Sequence, residues 1–229
     1  MGGHLLEASA PEFKKDLRPL LKWLKTQLDR EGVEVRLNTT ATRDLVKEEG
    51  PDVLVLALGS EYAIPAELAD KLENFVLPVD VLLGRSQVGE RVVVAGGGFV
   101  GCETALHIGE TLKRKATICE MRDDILSDYP EPVTQMALRV RLMKAGVEVR
   151  TGVTLRGFSQ NRALLTDKAG KAQQMDADTL VLATGLKPRR EGVAGFEGLA
   201  PKLFKVGDCV RPGKIYDAFR SARHTVLHF

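Results

Sequence analysis

Gly32-Val33-Glu34-Val35-Arg36 recurs letter for letter as Gly146-Val147-Glu148-Val149-Arg150. Asp52-Val53-Leu54-Val55-Leu56-Ala57-Leu58-Gly59 returns as Asp178-Thr179-Leu180-Val181-Leu182-Ala183-Thr184-Gly185, identical at six of eight positions. The two matches fall in the same order, so the chain reads as one supersecondary unit written twice. The runs at 53–57 and 179–183 have the unbroken apolar character of strands covered on both faces of a parallel sheet. Arg91-Val92-Val93-Val94-Ala95 and Lys115-Ala116-Thr117-Ile118-Cys119 repeat that signature, and Val33 to Leu37 alternates as a short strand. Helical spacing runs from Pro11 to about Asp29, with Pro19 inside it as a point of kinking. Further helices are expected from Cys102 to Leu112, on Val133, Met136, Ala137, Val140 and Met143, and from Lys214 to Leu227. Residues 153–175 differ: polar β runs around Gln160-Asn161 predict a small antiparallel meander. The expected fold class is α/β, two Rossmann-like dinucleotide-binding domains with parallel sheets plus that meander. The copies are unequal. The second opens with a strand, a glycine turn and a helix that the first lacks, so the first domain is expected to be truncated at its N-terminus and the sequence to be a piece of a longer protein.

At 229 residues the chain has room for one large domain or two small ones, at a soft ~150 residues each. Hydrophobic residues make up 44% and charged residues 28%, which excludes a disordered chain. The formal net charge of +2 excludes a basic nucleic-acid surface and an acidic tail. No apolar run reaches the ~18–20 residues of a membrane span, and Met1-Gly2-Gly3-His4 begins no secretory signal, so no membrane partner is expected and the reading is cytoplasmic. Cys102, Cys119 and Cys209 form no Cys-x-x-Cys and are expected as buried thiols; no metal site is written here. His4, His107, His224 and His228 stand singly and are read as unpartnered surface or packing residues.

Gly96-Gly97-Gly98-Phe99-Val100-Gly101 fits G-x-G-x-x-G, and its context is right: a Val-rich strand precedes it and a helix follows. Gly96 allows the tight turn, Gly98 lets backbone approach a pyrophosphate, and Gly101 lets helix and strand pack closely. The free N–H groups of the helix start then face the phosphates. Glu120 follows Gly96 by 24 residues, at the end of the next strand, where a carboxylate can accept a ribose 2′-hydroxyl. That favours NADH over NADPH, while Arg122, two residues on, would neutralise the repulsion of a 2′-phosphate and leaves the choice open. Glu103 reads as a first-turn acid complementing the helix dipole. Asp208, in Val206-Gly207-Asp208, can hold a sugar hydroxyl or serve as a turn residue or cap.

Together with Gly2-Gly3, Ala57-Leu58-Gly59-Ser60, Gly101-Cys102-Glu103-Thr104-Ala105, Ala183-Thr184-Gly185 and Lys214-Ile215-x-Asp217-Ala218, these motifs resemble the pyridine nucleotide-disulfide oxidoreductase fold. More narrowly, they resemble the C-terminal module of flavoenzymes fused to an old-yellow-enzyme barrel, of the 2,4-dienoyl-CoA reductase, enoate reductase, and trimethylamine or histamine dehydrogenase type. The resemblance implies residues 1–85 and 190–229 as a FAD-type domain and 86–189 as an inserted NAD(P)H-binding domain. It implies NAD(P)H contacts at Gly96 to Gly101, Glu103 (near the nicotinamide), Glu120, Met121, Arg122, Ala183, Thr184 and Gly185. It implies FAD or ADP contacts at Gly2, Gly3, Ala57, Gly59, Ser60, Gly207, Asp208 and Ile215. FMN and an iron–sulfur cluster are implied only for an N-terminal barrel domain, absent from this sequence, as partner. Two departures stand out: Leu58 replaces a threonine, and the glycine loop for the FAD phosphates is missing.

The resulting expectation is part of a FAD/NAD(P)H-dependent oxidoreductase, which accepts hydride from NAD(P)H and passes electrons through flavin to the distant barrel, the isolated piece being inactive. The alternative is a non-catalytic ADP-binding structural module of an amine dehydrogenase. A ferredoxin or disulfide reductase is a third option, its disulfide version disfavoured by the missing Cys-x-x-Cys.

Overall fold

The computed structural model describes residues 1–127 and 130–228. In chain order the elements are α1 (His4–Ser9), a 3-10 turn (Glu12–Leu17), α2 (Arg18–Arg30), α3 (Arg43–Glu49), β1 (Val53–Leu56), β2 (Ser60–Tyr62), α4 (Pro78–Leu82), β3 (Arg91–Ala95), α5 (Phe99–Glu110), β4 (Lys115–Cys119) and α6 (Pro132–Lys144). There follow β5 (Glu148–Arg150), β6 (Val153–Ser159), β7 (Arg162–Asp167), β8 (Ala172–Asp176), β9 (Thr179–Leu182), β10 (Leu186–Pro188), α7 (Arg190–Ala194), β11 (Lys202–Lys205) and α8 (Ile215–Val226). They group into two compact units. The first holds residues 1–5, 19–62 and 186–228; the second holds 6–18 and 63–185.

The second unit is built on a parallel sheet of order β5-β4-β3-β9. Successive side chains of a strand point to opposite faces, and β3 shows the consequence. Val92 and Val94 join a core with Cys102, Leu106, Ile108, Leu138 and Leu142 of α5 and α6. Val93 and Ala95 join another with Leu155, Phe158, Ala163 and Leu165 of the meander β6-β7-β8. In β9, Val181 faces the helices and Leu180 and Leu182 the meander. Both faces of the sheet are therefore dry, which is what its unbroken Val/Leu runs require. The meander turns at Gln160 and Asn161, both left-handed, as expected for this residue pair.

The first unit contains the parallel pair β1-β11 and the antiparallel pair β2-β10. Its core is small: Leu56, Val193 and Cys209, with Leu54, Leu58, Phe196 and Leu203 against them. Here one expectation fails. Val33 to Leu37 is not a strand, and Val33, Val35 and Leu37 are exposed. Its twin at 146–150 supplies β5 because β4 lies beside it, pairing Ile118 with Val149 and Cys119 with Arg150. Among the described residues nothing offers Val33 to Leu37 such a neighbour.

Two helices also differ from their sequence reading. The 11–29 pattern breaks into a 3-10 turn and α2, with Lys14 out of helical geometry at φ −123° and ψ 16°. Pro19 sits at the start of α2, where a missing N–H leaves no bond unmade, so it initiates the helix and does not kink it. The apolar stripe expected on α6 is not its buried face: Val133, Met136 and Met143 are exposed and Leu138 and Leu142 are inside. No described helix is long and apolar enough to cross a membrane.

Candidate functional site

The glycine turn after β3 shows a different reason for each glycine. A Cβ on Gly96 would lie 2.2 Å from the Ala183 carbonyl oxygen, and its φ of +114° is one that L side chains rarely adopt. A Cβ on Gly97 would meet Ile125 Cγ2 at 2.6 Å, and one on Gly101 would meet the Gly96 oxygen at 2.0 Å. Gly98 is the exception: a Cβ there meets nothing within 4 Å. Gly98 is also the N-cap of α5 and provides no side-chain cap. The turn thus presents an uncapped helix start beneath open space, the arrangement that suits an anion.

Glu120 clamps this turn. It is 9% exposed; Oε2 accepts the Gly97 N–H at 2.6 Å and Oε1 accepts the Arg122 N–H at 2.9 Å. Charge-assisted bonds of this kind are the strong ones. Sequence spacing puts the acid just after β4, where the structure has it, but gives no hint that both oxygens hold backbone. Met121 is exposed, and Arg122 Nη1 donates to Ser127 Oγ at 3.2 Å. Across the strand end, Ala183 N–H donates to the Ala95 carbonyl, and Thr184 Oγ1 donates to the Ala63 carbonyl at 2.5 Å. Gly185, at φ +109°, accepts the Ala63 N–H.

Glu103 lies beyond the first turn of α5, so the dipole reading is corrected. Its carboxylate is buried and bonds Lys14 Nζ at 2.6 Å; that ammonium also sits 4.9 Å from the Phe99 ring centre. Burial pushes the Glu103 carboxyl above its ordinary value, against the lowering pull of Lys14. Sequence reasoning missed Lys14, since nothing in its local pattern signals a partner so far along the chain. Cys102 donates to the Gly97 carbonyl, and burial pushes its thiol up to about 12, so it is an inert packing group.

In the first unit, Ser60 and Asp208 come together with His4, which the sequence reading left without a partner. Ser60 Oγ, on a 3% exposed residue, donates to Asp208 Oδ2 at 3.1 Å, and His4 Nε2 lies 3.1 Å from the same Oγ. His4 is therefore partnered, contrary to expectation. Asp208 Oδ1 accepts the Gly213 N–H at 3.1 Å. Gly2, Gly3, Gly59 and Gly207 all have positive φ, and Ile215 opens α8. Ala57 follows β1 and is exposed, and Leu58 packs into the small core where the second copy has its Thr184 hydroxyl.

The family model for pyridine nucleotide-disulphide oxidoreductases matches residues 25–222. An NADH oxidase of Thermoanaerobacter brockii is 36% identical over 226 residues, covering 96% of this chain and 34% of that protein. A solved 2-naphthoyl-CoA reductase complex superposes with a TM-score of 0.87 at 26% identity, over 96% of this chain and 33% of its own. Histamine dehydrogenase from Rhizobium superposes at 0.84 over 98% of this chain and 38% of its own; at 14% identity this likeness shows the fold alone. The chain spans about a third of the length of these proteins. With the strand, glycine turn and helix in place and the match running through both units, the chain belongs to the pyridine nucleotide-disulphide oxidoreductase family.

Proposed function

We propose that the second unit binds NAD(P)H, with its pyrophosphate over Gly96 to Gly101, and that the chain serves as the NAD(P)H:flavin oxidoreductase module of a larger flavoenzyme. The observation that carries this is the contrast within the turn: Gly96, Gly97 and Gly101 are closed by packing, and Gly98 alone opens outward. Glu120 orders the turn and retains acceptor capacity for a ribose hydroxyl, which favours NADH. Met121, Arg122, Ala183, Thr184 and Gly185 complete the rim, and Glu103 stands toward the nicotinamide end. Gly2, Gly3, Ala57, Gly59, Ser60, Gly207, Asp208 and Ile215 of the first unit would hold FAD, in a functional division of 1–85, 86–189 and 190–229 that is set by the nucleotides and differs from the two packed units. When bound, the nicotinamide supplies hydride and the flavin receives it. The chain's own contribution is to bind the two nucleotides, the chemistry being theirs. In the larger flavoenzyme an FMN- and iron–sulfur-bearing barrel domain would receive the electrons and act on a conjugated or amine-type substrate. The full protein works in the cytoplasm, and the isolated chain binds nucleotide without turnover.

Calorimetric titration with NADH and NADPH tests the reading. Gly98 has an extended ψ and a φ of −70°, so Gly98→Val is compatible with the backbone and fills only the open space. NADH binding that Gly98→Val abolishes supports the site; equal binding by both proteins refutes it. A second reading is an ADP-binding structural module. It is favoured by the first unit, where no described strand leads through a glycine turn into an α-helix as Ala95 to Phe99 do. A purified chain that retains ADP and no yellow flavin selects it.

A further inference from the structure

His4, Ser60 and Asp208 are linked end to end although they come from three distant segments. Each directly follows a glycine of positive φ: Gly3 at +49°, Gly59 at +72° and Gly207 at +66°. Three left-handed turns thus present three polar side chains to one point.

The direction of the bonds follows from the partners. Asp208 Oδ2 accepts, so the single Ser60 hydroxyl proton goes to it. Ser60 Oγ then has only lone pairs left for His4 Nε2, and the Ser60 carbonyl, 3.3 Å from the same nitrogen, also only accepts. The proton of the His4 ring is therefore on Nε2. Donation runs one way, from His4 to Ser60 to Asp208, and each bond polarises the next. The other carboxylate oxygen is held by Gly213, where a Cβ would lie 2.9 Å from Asp217 Oδ2. One donor on each oxygen fixes the plane of the carboxylate and leaves acceptor capacity on both.

We propose that His4 and Ser60 are positioning residues that aim Asp208 at a hydroxyl of the sugar or polyol of a bound nucleotide. The ligand clause rests on the reading of the first unit as a flavin- or adenine-nucleotide site; the relay itself does not.

The test uses the chain as it stands, ¹⁵N-labelled, with the Gly213 amide as reporter of Asp208. Ser60→Ala and His4→Phe are expected to shift that amide proton upfield and to speed its exchange at least fivefold, with far-UV dichroism unchanged. Ser60→Thr and His4→Gln, which restore a donor, are expected to return it. An unmoved Gly213 amide in Ser60→Ala or His4→Phe overturns the relay. FAD is then titrated by flavin fluorescence in a Gly98→Val background, which silences the second unit. Losses of about tenfold are expected for His4→Phe, Ser60→Ala and Asp208→Asn, with no further loss when His4→Phe and Asp208→Asn are combined. Additive losses overturn the positioning role. If neither FAD nor ADP binds the Gly98→Val chain, the ligand clause falls with the nucleotide reading of the first unit, while the amide result still decides the relay.

Discussion

Adding one methyl group to each of two neighbouring glycines should have opposite consequences. In Gly101→Ala the new Cβ falls 2.0 Å from the Gly96 carbonyl oxygen and 3.2 Å from Ala183 Cβ. Ordinary contact begins at 3.4 Å, so the carbonyl is about 1.4 Å too close. That oxygen belongs to backbone fixed at both ends: the Gly96 N–H is bonded to Cys119 and the Gly97 N–H to Glu120. Relief requires α5 to lift from the sheet, parting Cys102 and Leu106 from Val92 and Val94. Overpacking of this kind costs roughly 1–3 kcal/mol, and the better helix propensity of alanine returns up to about 1. The net expectation is a loss of roughly 1–2 kcal/mol. Gly98→Ala meets nothing within 4 Å at a φ of −70° and should change stability by less than about 0.5 kcal/mol. Urea unfolding followed by dichroism gives both values, and calorimetry with NADH gives the reverse ranking: Gly98→Ala weakens binding although it leaves the fold intact. Equal stability of the two variants, or a destabilised Gly98→Ala, would refute the division of labour assigned to these glycines.

Glu120→Ala leaves the Gly97 and Arg122 N–H groups without their acceptor and should cost about 2 kcal/mol of unfolding free energy, while raising the NADPH-to-NADH affinity ratio about tenfold; an unchanged ratio removes Glu120 from nucleotide recognition. Lys14→Met strands the buried Glu103 carboxylate. A carboxyl whose folded pKa is raised binds more protons folded than unfolded, so stability falls as pH rises from the unfolded value through the folded one. The penalty of Lys14→Met, up to about 3 kcal/mol, should therefore be small near pH 4 and full at pH 8, and a penalty flat across that range contradicts the pairing. Amide exchange should separate the twin pentapeptides, with Arg150, which faces β4, slower than Arg36 by about a hundredfold. Equal rates would show that β5 is no better held than its twin.

Where local and long-range preferences agreed, the residues were readable. Val92 to Ala95, the glycine turn and α5 each have the composition their geometry needs, and Glu120 falls where the next strand ends. Val33 to Leu37 was misread because a strand is a relation between neighbours, and five identical letters cannot record whether a partner is present. On α6 the periodicity found the helix and missed its inner face, since Leu138 and Leu142, not the methionine stripe, meet the core. The Lys14–Glu103 pair and the bond from His4 to Ser60 join residues with no shared local pattern, so only the folded chain reveals them.

The way the backbone is shared out has a practical corollary. Residues 6–18 are counted with the second unit, yet the residues on either side of them belong to the first. No single excision of the gene yields the second unit whole. An expression clone of residues 63–185 would forfeit the ammonium that neutralises Glu103 and the Phe13 ring, which stacks 4.7 Å from the Arg141 guanidinium. The shortest faithful clone must graft the early thirteen-residue strip back on through a new linker, or keep the whole polypeptide.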